Sequence, residues 1–220
     1  MKLLPKIFSL VIPIFVAIFI ILTSVGLWMD PLLWNTIYNA PGFPPDSYGF
    51  TAKDRSKYAQ ISLEYMLNGS GISFLGDLKF PDGSPLFNER ELSHMADVKR
   101  LAQSSIVTWV ILGVLIAGSG VLAYRQKWMR VWGNAVSLGG WIAIGLILLV
   151  FIFTLTSFDT LFTDFHHLFF TGDSWLFLYS DTLIRLFPIA FWQDAFIIVG
   201  IVAAIFSVAA GILGRKLTNR

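Results

Sequence analysis

Apolar residues are concentrated in four long stretches that are separated by more polar segments. The stretches cover residues 7–29, 106–124, 135–156 and 196–213, and none has an ionisable side chain near its middle. A helix needs about 20 largely apolar residues to span a bilayer, so each stretch predicts one membrane-spanning helix. The lack of charge argues against a proton relay, an ion pump or a voltage sensor, which place charges inside the membrane. The pattern predicts an all-α integral membrane protein with a single membrane domain over residues 1–220.

The two longer polar segments, residues 30–100 and 157–194, are predicted to form an extracytoplasmic cap that is mostly helical. Within the first segment, Asn88 and Glu91 have the spacing of a helix-starting capping box. The helix that they open is expected to run without a break into the second apolar stretch. Proline and glycine at residues 81–85 are compatible with one short hairpin, although arms this short are marginal on their own.

The basic residues that flank the apolar stretches predict the orientation in the membrane. The N-terminus, the short 125–130 loop and the C-terminal tail carry eight basic residues and no acidic one. These are Lys2, Lys6, Arg125, Lys127, Arg130, Arg215, Lys216 and Arg220. Because such residues favour the cytoplasmic side, both termini and the 125–130 loop are predicted to be cytoplasmic. The two longer segments, which hold all 14 acidic residues, are predicted to lie outside.

The composition narrows the function classes. Only 14% of the residues are charged, against about 25% in a soluble globular domain, which excludes a water-soluble enzyme and a disordered chain. A net charge of +2 does not supply the basic field of a nucleic-acid binder. The chain has no cysteine, so it has no disulfide, no thiolate nucleophile and no cysteine-ligated metal.

Three histidines, His94, His166 and His167, lie in the polar segments. On a helical wheel of about 100° per residue, His94 falls at the edge of an apolar stripe with Val98 and Leu101. His166 borders a second stripe, and His167 points to the opposite, polar face. The second stripe, which has the spacing of a helix lying in the membrane interface, consists of Phe158, Phe162, Phe165 and Phe169.

Two histidines at equivalent depth inside aromatic walls suggest acid–base chemistry. An imidazole with a pKa near 6.5 exchanges protons at neutral pH, so His94 and His166 can serve as base and acid. Glu91 and Asp97 each lie one helical turn from His94 and are candidates for setting its tautomer or raising its pKa. The alternative is that both histidines are ordinary packed or solvated residues.

Two further residues are candidates for binding substrate or supporting the histidines. Trp175 is more consistent with a wall of the chamber than with chemistry. Arg185 is the only cation between residues 157 and 194. It is a candidate for binding an anionic lipid or stabilising an oxyanion, and its alternative is an ion pair with Asp181 at i, i+4.

Other chemistries have weaker support. A zinc site could use His94, His166 and a carboxylate, but the chain has no HExxH motif. A serine hydrolase would need a G-x-S-x-G elbow, and a nucleotide-binding protein would need a GxxxxGK loop; neither is present. No metal and no cofactor are therefore expected.

Several segments have a distinctive combination of residues. They are Asn88–Lys99 (NERELSHMADVK), Phe165–Phe170 (FHHLFF), Gly172–Phe177 (GDSWLF), Asp181–Pro188 (DTLIRLFP) and Phe191–Asp194 (FWQD). Together with the four spans and the outer cap, these segments closely resemble the bacterial lipoprotein intramolecular transacylases, the Lit family. The two catalytic histidines of that family map onto His94 and His166.

The resemblance implies a multi-pass protein of the bacterial plasma membrane with its active site outside. It implies transfer of an acyl chain from the sn-2 glyceryl ester of a diacylglyceryl lipoprotein to the amine of its own N-terminal cysteine. The implied partners are such lipoproteins and membrane lipids, with no nucleic acid and no nucleotide. Because the substrate carries its own nucleophile, the enzyme itself needs no serine or cysteine. A non-catalytic membrane subunit and a lipid ester hydrolase remain as alternatives.

Overall fold

The computed structural model of the protein describes residues 3–218, so Lys2 and Arg220 of the orientation argument lie outside the described residues. The described residues form nine helices. These are α1 (Leu3–Trp28), α2 (Pro31–Tyr38), α3 (Ala52–Leu67), α4 (Ser73–Gly76), α5 (Glu89–Arg125), α6 (Met129–Thr156), α7 (Phe158–Phe169), α8 (Thr182–Leu186) and α9 (Ile189–Thr218).

Four of the helices, α1, α5, α6 and α9, are long and apolar enough to cross a membrane. This confirms the predicted all-α membrane protein with four spanning helices. The second of them begins at Glu89, well before the apolar stretch, as the capping signature predicts. Its 37 residues rise about 55 Å at about 1.5 Å per residue, so the polar first part and the apolar second part form one continuous helix.

The described chain divides into two compact units. The first, called here the transmembrane unit, contains α1, α6, the part of α5 from Ser105 and the part of α9 from Ile197. Its buried core combines mostly branched residues of α1 with alanines of α6 and α9. The core consists of Ile12, Val16, Ala17, Ile20, Ala135, Ala143 and Ala203.

Glycines in α6 allow its neighbours to approach closely. A methyl group at Gly139 would lie 2.7 Å from the carbonyl oxygen of Pro13, and one at Gly140 would lie 2.5 Å from that of Ser207. The side chain of Ser137 donates to the carbonyl oxygen of Gly211 at 2.9 Å. Small residues and interhelical hydrogen bonds of this kind are the usual means by which membrane helices pack together.

The second unit, called here the cap unit, comprises Met29–Ser104 and Ser157–Phe196. Its helices begin at side-chain caps. The carboxylate of Asp30 accepts the first free N–H groups of α2, and Thr51 with Asp54 forms a complete capping box at the start of α3. Such caps satisfy backbone donors that have no partner inside the helix.

The expected hairpin at residues 81–85 is reduced to a turn with one antiparallel bridge, between Lys79 and Pro85. The N–H of Phe80 donates to the carbonyl oxygen of Ser84 at 2.9 Å. Gly83 adopts a φ of 86°, which a glycine tolerates because it has no Cβ. The pairing does not extend into a strand because each arm is only a few residues long.

Long-range hydrogen bonds hold α8 in place within the cap unit. The hydroxyl of Thr182 donates to the carbonyl oxygen of Leu86 at 2.5 Å. The hydroxyl of Tyr38 donates to the carbonyl oxygen of Leu186 at 2.8 Å. Both hydroxyls are buried. Helix α8 is therefore fixed at both of its ends.

Candidate active site

His94 is positioned by the first turn of α5. The side chain of Asn88 accepts the backbone N–H of Glu91 at 3.0 Å, and the carboxylate of Glu91 accepts the N–H of Asn88 at 2.7 Å. This reciprocal capping box fixes the start of the helix. His94 follows less than one turn later and is only 7% exposed.

His166 is positioned by α7, whose register separates the two adjacent histidines as the helical wheel predicts. His166 is buried and His167 is exposed. The Nδ1 atom of His166 lies 2.7 Å from the carbonyl oxygen of Phe162, one turn earlier. Because a carbonyl oxygen only accepts, Nδ1 carries the proton and the Nε2 atom of the neutral ring is left with a free lone pair.

The two buried imidazoles face each other. Their ring centroids are 6.0 Å apart and their planes differ by 23°. The ring of Phe170 contacts both, at 4.8 Å from His94 and 5.5 Å from His166. Phe177 completes the packing on His94 at 5.4 Å. A small reacting group therefore fits within reach of both rings.

Both histidines line an apolar cavity of about 200 Å³ in the cap unit. This is below the roughly 300–1,000 Å³ of pockets that enclose a whole small-molecule ligand, so the cavity suits the reacting end of a long substrate. The cavity is called here the chamber. Its walls are Trp34, Met66, His94, Met95, Val98, Leu101, Phe162, Phe165, His166, Phe170, Trp175, Phe177, Leu183, Ile184, Phe187, Trp192 and Phe196.

The surroundings favour the uncharged form of these histidines. Burial lowers the pKa of His166 below its ordinary value of 6.5, and the charge of His167 lowers it further, while the hydrogen bond to Phe162 acts in the opposite direction. Burial among rings acts against a positive charge on His94 in the same way. A histidine that is neutral at pH 7 is ready to accept a proton.

Neither of the expected acidic partners bonds to His94. Asp97 instead pairs with Arg100, and the second carboxylate oxygen of Glu91 accepts the backbone N–H of Leu183 at 2.7 Å. The expectation that these carboxylates set the tautomer of His94 is therefore wrong. Burial lowers the pKa of His94, and the charge of Asp97 opposes this by raising it, in line with the expected effect of that carboxylate on the pKa. The Nδ1 atom of His94 is buried and has no hydrogen-bond partner within residues 3–218.

Arg185 does not point into the chamber. Its guanidinium pairs with the buried carboxylate of Asp46 at 3.1 Å and stacks over the ring of Phe50 at 3.7 Å. The expected pair with Asp181 is wrong, because that carboxylate accepts the backbone N–H of Leu178 instead. The packing of Arg185 supports a structural role rather than a contact with substrate.

Trp175 packs directly on the histidine pair. Its ring centroid lies 4.8 Å from that of His166, with the planes inclined at 34°. Its ring is perpendicular to that of His167, with the two centroids 5.2 Å apart. The indole is 9% exposed, which agrees with the predicted place in the wall of the chamber.

A larger depression of about 520 Å³ lies elsewhere in the cap unit, between α2 and α3. It is polar and includes Asn35, Lys53 and Lys57 but no histidine. Within the described chain, no group of three or more histidine, aspartate or glutamate side chains converges on a metal-binding geometry. Both buried histidines therefore belong to the chamber and not to this depression.

Sequence reasoning did not identify Phe170 and Phe177 as contacts of the histidine pair. Phe170 is the C-cap residue of α7, and its backbone N–H donates to the carbonyl oxygen of His166 at 2.8 Å. Its place directly after the buried face of the helix was the available signal. Phe177 lies in a segment without regular secondary structure, where no periodicity indicates which side chains face inward.

Three comparisons with known proteins bear on this arrangement. Residues 7–192 match the model of the family "Lipoprotein intramolecular transacylase Lit". An uncharacterised protein of Aquifex aeolicus (strain VF5) is 31% identical over 182 residues, which is 81% of each chain.

Solved structures of Lit from Bacillus cereus, a membrane-integral lipoprotein intramolecular transacylase, have the same fold. One superposes with a TM-score of 0.72 at 16% identity and covers 100% of this chain and 98% of that one. A variant of that protein with a histidine replaced by alanine gives 0.71 at 18% identity, covering 98% and 94%. The protein is thus a multi-pass membrane protein, and it belongs to the lipoprotein intramolecular transacylase (Lit) family.

Proposed function

We propose that this protein moves an acyl chain from the sn-2 glyceryl ester of a diacylglyceryl lipoprotein to the amine of the lipoprotein's N-terminal cysteine. His94 and His166 carry the acid–base chemistry. The observation that supports this most directly is the pair of buried imidazoles, 6.0 Å apart, in an apolar chamber. Family membership supports the reaction class.

His166 is the base in this proposal. Its Nδ1–H donates to the carbonyl oxygen of Phe162, which leaves the Nε2 lone pair free for a substrate proton. A free α-amine has a pKa near 7.7–8.0 in water and must be neutral to attack an ester. Nε2 accepts one proton from the amine nitrogen as that nitrogen forms its bond to the ester carbon. A positioned base of this kind contributes about 10²–10⁴-fold to a rate.

The reaction then completes without any group from outside. The ester C–O bond breaks, the glyceryl oxygen receives the proton held by His166, and an ester plus an amine become an amide plus an alcohol. His94, uncharged in its apolar surroundings, donates a ring N–H to the departing glyceryl oxygen. His166 takes its proton from the amine nitrogen and gives it to the glyceryl oxygen. Both atoms are bonded to the same carbon in the tetrahedral intermediate, so one imidazole can reach both.

The chamber contributes by position and by excluding water. Ester and amine belong to the same substrate molecule, and holding them together gives the large effective molarity of an oriented intramolecular reaction. The aromatic walls around the histidines keep out water, which would otherwise compete with the amine for the ester. Acyl transfer is therefore favoured over hydrolysis.

The proposal is tested by incubating the purified protein with a synthetic diacylglyceryl lipopeptide that has a free N-terminal amine. An unchanged mass with the acyl chain moved from oxygen to nitrogen, read by fragmentation, is the expected result. Loss of one acyl group would show a hydrolase. No reaction would favour a non-catalytic subunit.

The roles of the histidines are tested by three matched alanine variants. His94→Ala and His166→Ala are expected to abolish transfer, whereas His167→Ala, at the adjacent exposed position, is expected to retain it. Circular dichroism and thermal unfolding of each variant separate a lost reaction from a lost fold. Equal loss at His167 would contradict the assignment of His166.

We also propose that the protein lies in the bacterial plasma membrane with both termini in the cytoplasm and the cap unit outside. The positive-inside pattern supports this orientation. Because the chain has no cysteine, single cysteines can report exposure without background. A membrane-impermeant maleimide should label Ser47→Cys in intact cells and Gln126→Cys only after permeabilisation; the reverse labelling would contradict the orientation.

A further inference from the structure

The indole N–H of Trp175 is a buried donor with nothing to donate to. In residues 3–218, five buried side-chain polar atoms have no hydrogen-bond partner. They are Arg55 Nε, His94 Nδ1, Ser174 Oγ, Trp175 Nε1 and Ser207 Oγ. Only two of these residues, His94 and Trp175, line the chamber. Native proteins pair nearly all buried polar groups, so an orphan in a cavity wall calls for an explanation.

Trp175 lies next to the proposed base, which indicates what its unpartnered N–H could bind. The indole packs against His166, with the ring centroids 4.8 Å apart, and is perpendicular to the ring of His167, with the centroids 5.2 Å apart. Any ester carbon within reach of the base is therefore also close to Trp175. The packing against His166 restricts the rotamer of the indole, so its N–H is preorganised.

The chemistry of the reaction requires a hydrogen-bond donor at the carbonyl oxygen of the ester. When the amine attacks, the π electrons of the ester carbonyl move to its oxygen, which becomes an oxyanion. In the mechanism above, His166 is occupied by the proton of the amine and His94 by the glyceryl oxygen, so neither serves the carbonyl oxygen. An indole N–H is a donor only and cannot take up a proton in competition with the base.

We propose that Trp175 is a catalytic residue whose Nε1–H donates to the carbonyl oxygen of the acyl ester and stabilises the oxyanion of the tetrahedral intermediate. This inference rests on the function proposed above. No atom is transferred to or from Trp175: the hydrogen bond strengthens as the oxygen gains charge and relaxes when the carbonyl re-forms in the amide. A fixed donor in a dry site is an effective means of stabilising such a charge.

A purely structural role for Trp175 predicts a different result. A wall residue binds the acyl chain equally well in the ground state and in the transition state, so its loss raises KM and leaves kcat unchanged. An oxyanion donor acts on the transition state, so its loss lowers kcat. The two roles are therefore separated by which kinetic constant changes.

Two replacements test the inference with the full-length protein in detergent or liposomes and a diacylglyceryl lipopeptide. Trp175→Phe removes the N–H and part of the ring. Replacement of Trp175 by benzothienylalanine, introduced by nonsense suppression, keeps the bicyclic shape and exchanges only the N–H for sulfur. Both are expected to lower kcat about 10²–10³-fold, the usual effect of losing one oxyanion donor, with KM changed less than threefold.

The controls distinguish this inference from the proposed function. Trp141→Phe, at an exposed tryptophan of the transmembrane unit, is expected to keep the wild-type kcat. Full kcat in the benzothienylalanine variant, or a rise in KM alone, would overturn the role of Trp175 and leave the proposed function intact. An inert wild-type protein would overturn the proposed function and this inference together. If Trp175→Phe unfolds, the isosteric variant decides.

Discussion

Glu91 is the residue whose replacement tests most directly how the cap unit holds His94. Its carboxylate is 1% exposed and joins two elements of the chain. One oxygen accepts the N–H of Asn88 at 2.7 Å and the other accepts the N–H of Leu183, also at 2.7 Å. In Glu91→Gln, one of these backbone donors would face an amide NH₂, which is itself a donor.

The expected cost follows from the number of donors left without a partner. A buried donor that loses its partner costs about 1–3 kcal/mol, so Glu91→Gln should lower the free energy of unfolding by about this amount. Glu91→Ala strands both backbone N–H groups and should cost about twice as much, before any term for the cavity. Glu89→Gln is the matched control because that carboxylate is exposed in the same helical turn.

Thermal unfolding and lipopeptide turnover, measured on the same preparations, provide the assay. Because Glu91 does not bond to His94, the folded fraction of Glu91→Gln is expected to keep its turnover within about tenfold of wild type, the equivalent of about 1.4 kcal/mol. Unchanged stability combined with complete loss of turnover would refute this reasoning. It would show that Glu91 acts on the reacting atoms rather than on the packing of α5 against α8.

Three further predictions concern pH, helix packing and the buried ion pair. Burial lowers the pKa of His166 from 6.5, so the histidine is protonated in the unfolded chain before it is protonated in the folded protein as the pH falls. Stability is therefore expected to decrease from pH 6.5 downward through the folded-state pKa. His166→Gln should flatten that part of a plot of melting temperature against pH, and an unchanged slope would contradict this prediction. Gly139→Leu should lower the melting temperature strongly, because even a methyl group would lie 2.7 Å from Val16 Cβ, and a wild-type melting curve would contradict the close approach of α1 and α6. Asp46→Ala should cost about 1–3 kcal/mol, because it removes the counter-charge from the part-buried guanidinium of Arg185. Chemical unfolding checks this, and the double variant with Arg185→Ala should recover part of the loss.

The long-range periodic features of this chain could be predicted from its sequence. Four apolar stretches specify four spanning helices because the bilayer sets their length. The Asn88–Glu91 capping signature correctly places the start of a helix that continues to Arg125. The register of α7 correctly separates buried His166 from exposed His167, because a regular helix fixes the direction of each side chain.

Contacts between distant parts of the chain could not be predicted. Helical spacing offers Asp181 as an ion-pair partner for Arg185, whereas the structure pairs Arg185 with Asp46, which is 139 residues away. Local spacing contains no information about such a partner.

The phenylalanine stripe of α7 shows the same limit. Its spacing predicted one face in the membrane interface, but Phe158 is buried and Phe162 lines the chamber. The most exposed apolar side chain of α7 is instead Leu168, at 75%. Periodicity identifies an apolar face without identifying what covers it, and here part of that face is covered by the rest of the cap unit.

The hydrogen bond between His166 and Phe162 makes the proposed base a property of one helical turn. In many enzymes a residue from a distant segment orients the catalytic histidine. In such enzymes the orienting residue can move while the histidine stays in place. Here the orienting carbonyl belongs to the same helix and forms when that helix forms. Unwinding the end of α7 would break this hydrogen bond and leave the imidazole free to change its orientation and its tautomer. Proton transfer by His166 and the folding of this turn are therefore gained or lost as a single event.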